Sequence, residues 1–235
     1  MKIIDPKTGK RLDDKGPKLD PSLKKTDPLK RTAEKGMEAE EESSPMDPPE
    51  AYGHQGERTL EPGQRHALIA RYMEEHQAAL AVLARFEEAM NAYKTSGYKL
   101  DDSINDALRE FFAFFDDKLL DHNRREETEL FPLLHERMLA TGEHSGGSER
   151  STAIDLMEDD HVKFIQLGAL VFNLLGLAAR LPDLGSRMFT FETAFDNSRE
   201  LIELLRLHIH REDHVLFPIA QDLITAEEMD QNMRS

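Results

Sequence analysis

Residues 122–132 and 208–218 spell one pattern, H-x-x-x-E-[ED]-x-x-L-F-P, at positions 86 apart. The copies run from His122 through Glu126 to Pro132, and from His208 through Glu212 to Pro218. A lone histidine behind acidic residues precedes each copy: Met73-Glu-Glu-His76 and Met157-Glu-Asp-Asp-His161. The repeating unit is therefore a His followed, about one helix later, by His-x-x-x-Glu. Residues four apart on a helix share a face. His122 with Glu126, and His208 with Glu212, can then point at one metal or at adjacent metals. Four histidines and two glutamates of this kind make a two-metal site. One H-x-x-x-E is weak evidence in a Glu-rich helical chain, whereas two copies with the same trailer at the same offset are hard to obtain by accident.

The elements that must carry these residues are long amphipathic helices, which bury the face bearing their hydrophobic periodicity. His76 shares a stripe with Ile69, Tyr72, Met73, Leu80 and Leu83. His122 is in register with Phe111, Phe115, Leu119, Leu130 and Leu133, and His208 with Leu201, Leu204, Leu205, Leu216 and Ile219. His161 goes with Ile154, Met157, Phe164, Ile165 and Phe172. All four imidazoles are expected to face the core. Burying Glu126 or Glu212 unpaired is strongly unfavourable, and a metal cation satisfies histidine and carboxylate together.

Helices are expected at about 63–95, 102–140, 149–180 and 186–223. The Asp101-Asp102-Ser103 caps start the second, Gly97 and Gly142 end the first two, and Pro182 follows the third. A loop is expected over residues 144–148, and a short helix at the Thr225-Ala-Glu-Glu box. No alternating strand pattern competes. The expected fold is all-α, an up-down-up-down four-helix bundle over residues 61–224 with a short C-terminal helix or tail over 225–235. Pro132 and Pro218 are expected near helix ends. The most apolar stretch, 167–181, is about 15 residues long, short of the roughly 20 a membrane span needs, and is expected as a buried bundle helix.

The 235-residue chain, 39% hydrophobic, has room for one ordinary domain and a tail. Absence of cysteine excludes disulfides, thiolate zinc sites and cysteine-ligated clusters within it. Residues 1–60 are rich in Pro, Gly and charge and are expected to form an irregular arm. Residues 1–35 carry 11 basic and 6 acidic groups, residues 36–60 carry 1 and 7, and residues 61–235 carry 18 and 33. The basic start could fold back on the acidic body or dock a protein partner. A net charge of −16 argues against nucleic-acid binding, and no membrane association is expected. The first residues lack a secretory-type apolar core, so a cytoplasmic protein is expected.

Over about residues 62–224 the chain resembles the hemerythrin-like (HHE) family of four-helix di-iron proteins. The resemblance rests on His76, His122 with Glu126, His161, His208 with Glu212, and on the trailers Leu130-Phe131-Pro132 and Leu216-Phe217-Pro218. Oxygen carriers of that family use a fifth histidine, so the closer analogue is the four-His, two-Glu subgroup. That subgroup includes iron–sulfur cluster repair proteins, which carry in addition a cysteine-bearing N-terminal domain. The ferritin-like alternative uses a repeated E-x-x-H. That motif occurs here once, as Glu158-Asp-Asp-His161.

The resemblance implies two irons with Glu126 and Glu212 bridging them, two histidines on each, and an oxo or hydroxo bridge. Imidazole and carboxylate without thiolate suit iron or manganese. About one exchangeable position per metal would remain for oxygen, nitric oxide or peroxide. Three readings stay open: reversible binding of a small ligand for sensing or storage; iron handling, including donation for iron–sulfur cluster repair; and oxidase or peroxidase catalysis, which would need a pocket beside the metals. Glu127 and Asp213, one position past the glutamates, are expected to be surface charges. Tyr72 and Glu129 lie closer to the ligand face and are candidates for hydrogen bonds to the ligands. His210 and His214 are expected on a solvent-exposed face, and His54, His66, His135 and His144 belong to no pattern.

Overall fold

The computed structural model describes residues 58–145 and 150–232. Four long helices follow one another with short connections in an up-down-up-down bundle, with no strand among the described residues. Helix α1 spans Ala67–Thr95. Helix α2 runs from 102 to 141 and comprises Asp102–Phe114, a π-helical turn Phe115–Leu119, Leu120–Arg125, a second π-helical turn Glu126–Leu130, and Phe131–Thr141. Helix α3 spans Ala153–Ala178. Helix α4 runs from 184 to 223 as Leu184–Arg211, a π-helical turn Glu212–Leu216, and Phe217–Leu223. A short helix α5, Ala226–Asn232, follows.

Local chemistry explains the starts and stops. Asp101 accepts from the Ile104 amide at 2.8 Å, Asp183 from the Ser186 amide at 2.7 Å, and Thr152 with Asp155 forms a capping box that begins α3. The Thr225–Glu228 pair does the same for α5, with Glu228 accepting from the Thr225 amide at 3.0 Å. Gly142 closes α2 at φ 89°, in the left-handed region a side chain disfavours.

Each π turn inserts one residue into its helix, and this corrects two readings of the sequence. Pro132 does not lie near a helix end but within α2, whereas Pro218 lies in the last turns of α4; both sit in the first turn of the segments that follow the π turns. There the widened turn, closed by Phe131 N–H to Glu126 O and Phe217 N–H to Glu212 O, tolerates the missing donor. The extra residue also shifts the buried stripe by one position. Leu134 and Ala220 are buried, whereas Leu133 and Ile219 are only half-buried.

The core forms two apolar clusters. Tyr72, Phe131, Leu134, Met157 and Phe217 belong to one, Phe86, Phe111, Phe115, Phe164 and Phe191 to the other. The six candidate ligands occupy the level between them. Helix α3 contributes a narrower stripe than its periodicity predicts. His161, Phe164, Gly168, Val171 and Ala178 face inward, but Ile165 and Phe172 lie on the outer edge, 50% and 58% exposed. The apolar helix is thus not simply a buried one. It is long and apolar enough to cross a membrane by length and composition, and 28% of that window is buried.

The arm over residues 1–60 lies outside the described residues except for Arg58, Thr59 and Leu60, as does most of the loop over 144–148. Leu60 is buried in the core, and Arg58 donates its backbone N–H to His214 O at 3.0 Å.

Candidate metal centre

The structure brings all six predicted residues together, and each is buried. They form two groups that share the glutamates: His76, His122, Glu126 and Glu212; and His161, His208, Glu126 and Glu212. Helix α1 contributes His76, α2 His122 and Glu126, α3 His161, and α4 His208 and Glu212. His76 Nε2 lies 3.1 Å from His122 Nε2, and His161 Nε2 lies 3.2 Å from His208 Nε2. Glu126 directs Oε1 to His122 Nε2 at 3.2 Å and Oε2 to His161 Nε2 at 3.7 Å. Glu212 directs Oε2 to His76 Nε2 at 3.2 Å and Oε1 to His208 Nε2 at 3.3 Å.

The outward nitrogens decide what the inward ones can do. His76 Nδ1 meets Asp213 at 2.7 Å, His122 Nδ1 meets Glu75 at 2.6 Å, and His161 Nδ1 meets Glu127 at 2.8 Å. A carboxylate only accepts, so each of these imidazoles donates from Nδ1, and in the neutral ring Nε2 carries the lone pair. At the His76–His122 pair lone pairs therefore face one another across 3.1 Å, and both pairs lie amid four buried glutamate oxygens that have no hydrogen-bond partner. Acceptors crowded in this way need a cation between them. Neighbouring ligands at ~2.1 Å from one ion are separated by roughly 3 Å, which the observed separations match.

This arrangement corrects the reading of Asp213 as a surface charge; Glu127 is exposed, as expected, and also reaches His161. The residue after each glutamate is turned about 100° from it on the helix, toward the neighbouring helix of the other repeat, where a histidine waits. Asp213 is buried. The fourth contact is looser: Asp160 lies 3.6 Å from His208 Nδ1, too far for a hydrogen bond. Glu75 and Asp160 immediately precede His76 and His161, so each α1 or α3 histidine has an acidic residue before it in the sequence. That repeated acid before the His, and the repeated acid after the Glu, were the signals available.

The rest of the motif also has a use. Arg125 donates to Glu75 at 2.8 Å, and Arg211 to Asp160 at 3.3 Å. Phe217 stacks on the His76 ring at 5.6 Å and Phe131 on the His161 ring at 5.7 Å. The Phe of each L-F-P trailer thus packs against the histidine held by the acid four residues before it. Tyr72 and Glu129 do not hydrogen-bond to the ligands. Tyr72 OH donates to Glu129 at 3.1 Å, and its ring meets the His122 ring edge-on. Glu158 is exposed and outside the cluster, and the half-buried His210 and His214 rings contact each other at 4.6 Å rather than lying open to solvent.

Without a cation, protons take its place. Burial alone would push the His76 imidazole down, but Asp213 and Glu212 outweigh it and hold the ring up at about 10. His122 and His208 are likewise raised to about 9 against burial, chiefly by Glu126 and Glu212 respectively. For His161 burial and the adjacent His208 win, and it is lowered. Glu75, opposed by burial but bonded to His122 and Arg125, is held down at about 2.

A cavity of about 430 Å³ adjoins the cluster. His76, His122 and His208 border it; neither glutamate nor His161 does.

The iron-sulfur cluster repair protein YtfE of Escherichia coli (strain SMS-3-5) is 26% identical to this chain over 154 residues, 65% of this chain and 63% of the relative. The protein of the same name from Escherichia fergusonii gives the same figures. The chain spans somewhat less than two thirds of the length of these relatives. No solved structure matches. The model of the hemerythrin HHE cation binding domain matches residues 67–220, from the start of α1 into the last turns of α4, and the chain belongs to that family.

Proposed function

We propose that the protein is a non-haem di-iron protein of the four-His, two-Glu kind. His76 and His122 hold one metal, His161 and His208 the other, and Glu126 and Glu212 bridge the pair. The observation that carries this reading is the convergence of four Nε2 atoms and four unpartnered carboxylate oxygens, at ligand-to-ligand spacing, in a buried layer. Iron is favoured by the donor set, with manganese the alternative. The bound metals supply open positions for a small ligand such as oxygen, nitric oxide or peroxide, serving sensing, storage or iron handling. The chain's own residues orient the imidazoles through the outer carboxylates and exclude bulk water with Phe131 and Phe217. The relatives' name supports iron donation for cluster repair as one form of that handling. The cavity beside His76 and His122 favours a second reading, turnover of a substrate. We place the protein in the cytoplasm.

Metal analysis with an optical spectrum of the aerobically purified protein tests the reading. Two irons per chain with near-ultraviolet bands of a bridged ferric pair are expected. Glu126→Ala is expected to leave about one iron per chain, and retention of two would remove its bridging role.

A further inference from the structure

Beside the candidate centre the two repeats differ as a set of three. Arg71, Tyr72 and Glu129 form a polar triad in the first repeat; the matching positions of the second hold Leu156, Met157 and Val215, all apolar. Met157 and Val215 are buried in the same apolar cluster, so hydrocarbon serves that packing role well. Burying a phenol and a carboxylate in its place costs stability, which asks for another use. The Tyr72 side chain is wholly buried, its ring meets the His122 ring edge-on at 5.3 Å, and it stacks on Phe217 at 6.0 Å. The chain has no cysteine and no tryptophan. Tyr93 and Tyr98 pack against Phe191 in the other apolar cluster. Among the described residues Tyr72 is thus the only phenol in ring contact with a candidate ligand. Met73 and Met157 lie in the same cluster, but a thioether gives up one electron less readily than a phenol and has no proton to release with it.

The triad is arranged for an electron and a proton to leave the phenol together. Tyr72 OH donates to Glu129 Oε2 at 3.1 Å, and Arg71 donates to the same oxygen. The Arg71 and Arg125 guanidinium carbons lie 5.0 and 5.7 Å from the centre of the Tyr72 ring. Loss of the electron alone would leave a positive ring beside two cations in a site closed to water, where like charges repel strongly. Moving the phenol proton to Glu129 in the same event keeps the ring neutral.

We propose that Tyr72 is a one-electron donor to the metal centre, supplying the second electron when a two-electron oxidant of the hydroperoxide class meets an iron pair that has only one to give. This role rests on the di-iron reading above. With one ferrous and one ferric ion present, hydrogen peroxide takes one electron from the ferrous ion and one from Tyr72. Its O–O bond breaks, and with two protons from solvent it leaves as two water molecules. The phenol proton passes to Glu129. What remains is a diferric pair, a neutral Tyr72 radical and a protonated Glu129. The oxidising equivalent is thereby held on one side chain rather than taken from the ligands.

Freeze-quench electron paramagnetic resonance tests this on the full, iron-loaded chain, brought to one ferrous and one ferric ion per pair and mixed with one equivalent of hydrogen peroxide. An organic radical signal is expected, with hyperfine structure that narrows when the tyrosines are ring-deuterated. Tyr72→Phe, which keeps the ring and its packing, is expected to abolish the signal, and Tyr93→Phe to leave it unchanged. Glu129→Gln keeps a hydrogen-bond acceptor but loses the base, and is expected to slow the radical's appearance roughly a hundredfold. No radical from a chain holding two irons, an undiminished signal in Tyr72→Phe, or an unslowed one in Glu129→Gln would each overturn the proposal. Iron content measured on every sample separates the two readings. A chain without two irons brings down the metal reading and the donor role together, whereas two irons without the radical remove the donor role alone.

Discussion

The two repeats build nearly the same ligand sphere and surround it differently. In both, an acid precedes the first histidine, a His-x-x-Arg-Glu follows on the next helix, and the acid and Phe beyond the Glu reach across to the other repeat. Yet the cavity borders both His76 and His122 of the first repeat but only His208 of the second, and Ala79 stands where the other repeat has Phe164. The shared residues are those proposed to hold and orient a metal. The residues that differ are those that set what may approach it. Chemistry and access are therefore written in separable positions, and each can be perturbed alone.

Acid should break the symmetry most strongly. A metal needs neutral imidazoles, so a histidine raised above the working pH must lose a proton for the metal to enter. His76 and His122 are both raised, to about 10 and about 9, whereas in the other pair His208 is raised to about 9 and His161 is lowered. Each proton displaced changes affinity roughly tenfold per pH unit. Between the ordinary histidine range and pH 9, affinity should climb by up to about a hundredfold per unit at the first pair and about tenfold at the second. On acidification the His76–His122 metal should leave first. Metal retained after dialysis across a pH series, in His122→Ala and His208→Ala variants that each keep the other site, checks the order. Equal midpoints would show that the pairs do not differ in this way.

Phe164→Ala should give the second repeat the space that the first already has. Deleting a buried aromatic side chain costs about 3–5 kcal/mol, and here it would leave a void beside His208. Denaturant unfolding should show that loss. A smaller destabilisation would mean the helices close over the gap.

Gly168 sharpens the contrast from another side. A Cβ there would stand 2.5 Å from the tip of the Phe115 ring, which opens the π turn beside the cavity. Gly168→Ala should cost about 1–3 kcal/mol as an overpacking change, read by denaturant unfolding. Full stability would show that the ring moves aside freely.

Much of this was legible in the sequence, for particular reasons. The six candidate ligands were visible because the motif is duplicated and because histidine on an apolar stripe calls for a partner. Helix boundaries were visible in Asp101, Gly142 and Thr225. The π turns were not, because nothing in a 3.6-residue period announces one inserted residue, and so Leu133 and Ile219 were read as core where Leu134 and Ala220 are buried. Asp213 was misread, and the contact of the exposed Glu127 with His161 was missed, because a residue one step round the helix was judged against its own bundle face alone, without the histidine on the neighbouring helix. The cavity depends on a missing side chain at Ala79, and an absence has no periodicity to find.

The smallest expected effect concerns the one outer contact that fails. Glu75 reaches His122 at 2.6 Å, but Asp160, shorter by one methylene, stops 3.6 Å from His208 while also facing Arg211 and Lys163 at 3.3 Å. Asp160→Glu should let the carboxylate reach Nδ1 and fix the His208 ring as His122 is fixed. A gained hydrogen bond is worth about 0.5–1.5 kcal/mol, so metal affinity at the second site should rise by roughly two- to tenfold. Competition with a chelator would read this directly. Because Asp160 is buried and shared, the longer side chain must keep Arg211 satisfied to gain anything. A loss of affinity would show that holding Arg211, rather than His208, is what this acid is for, and that the two repeats differ in purpose there as well as in length.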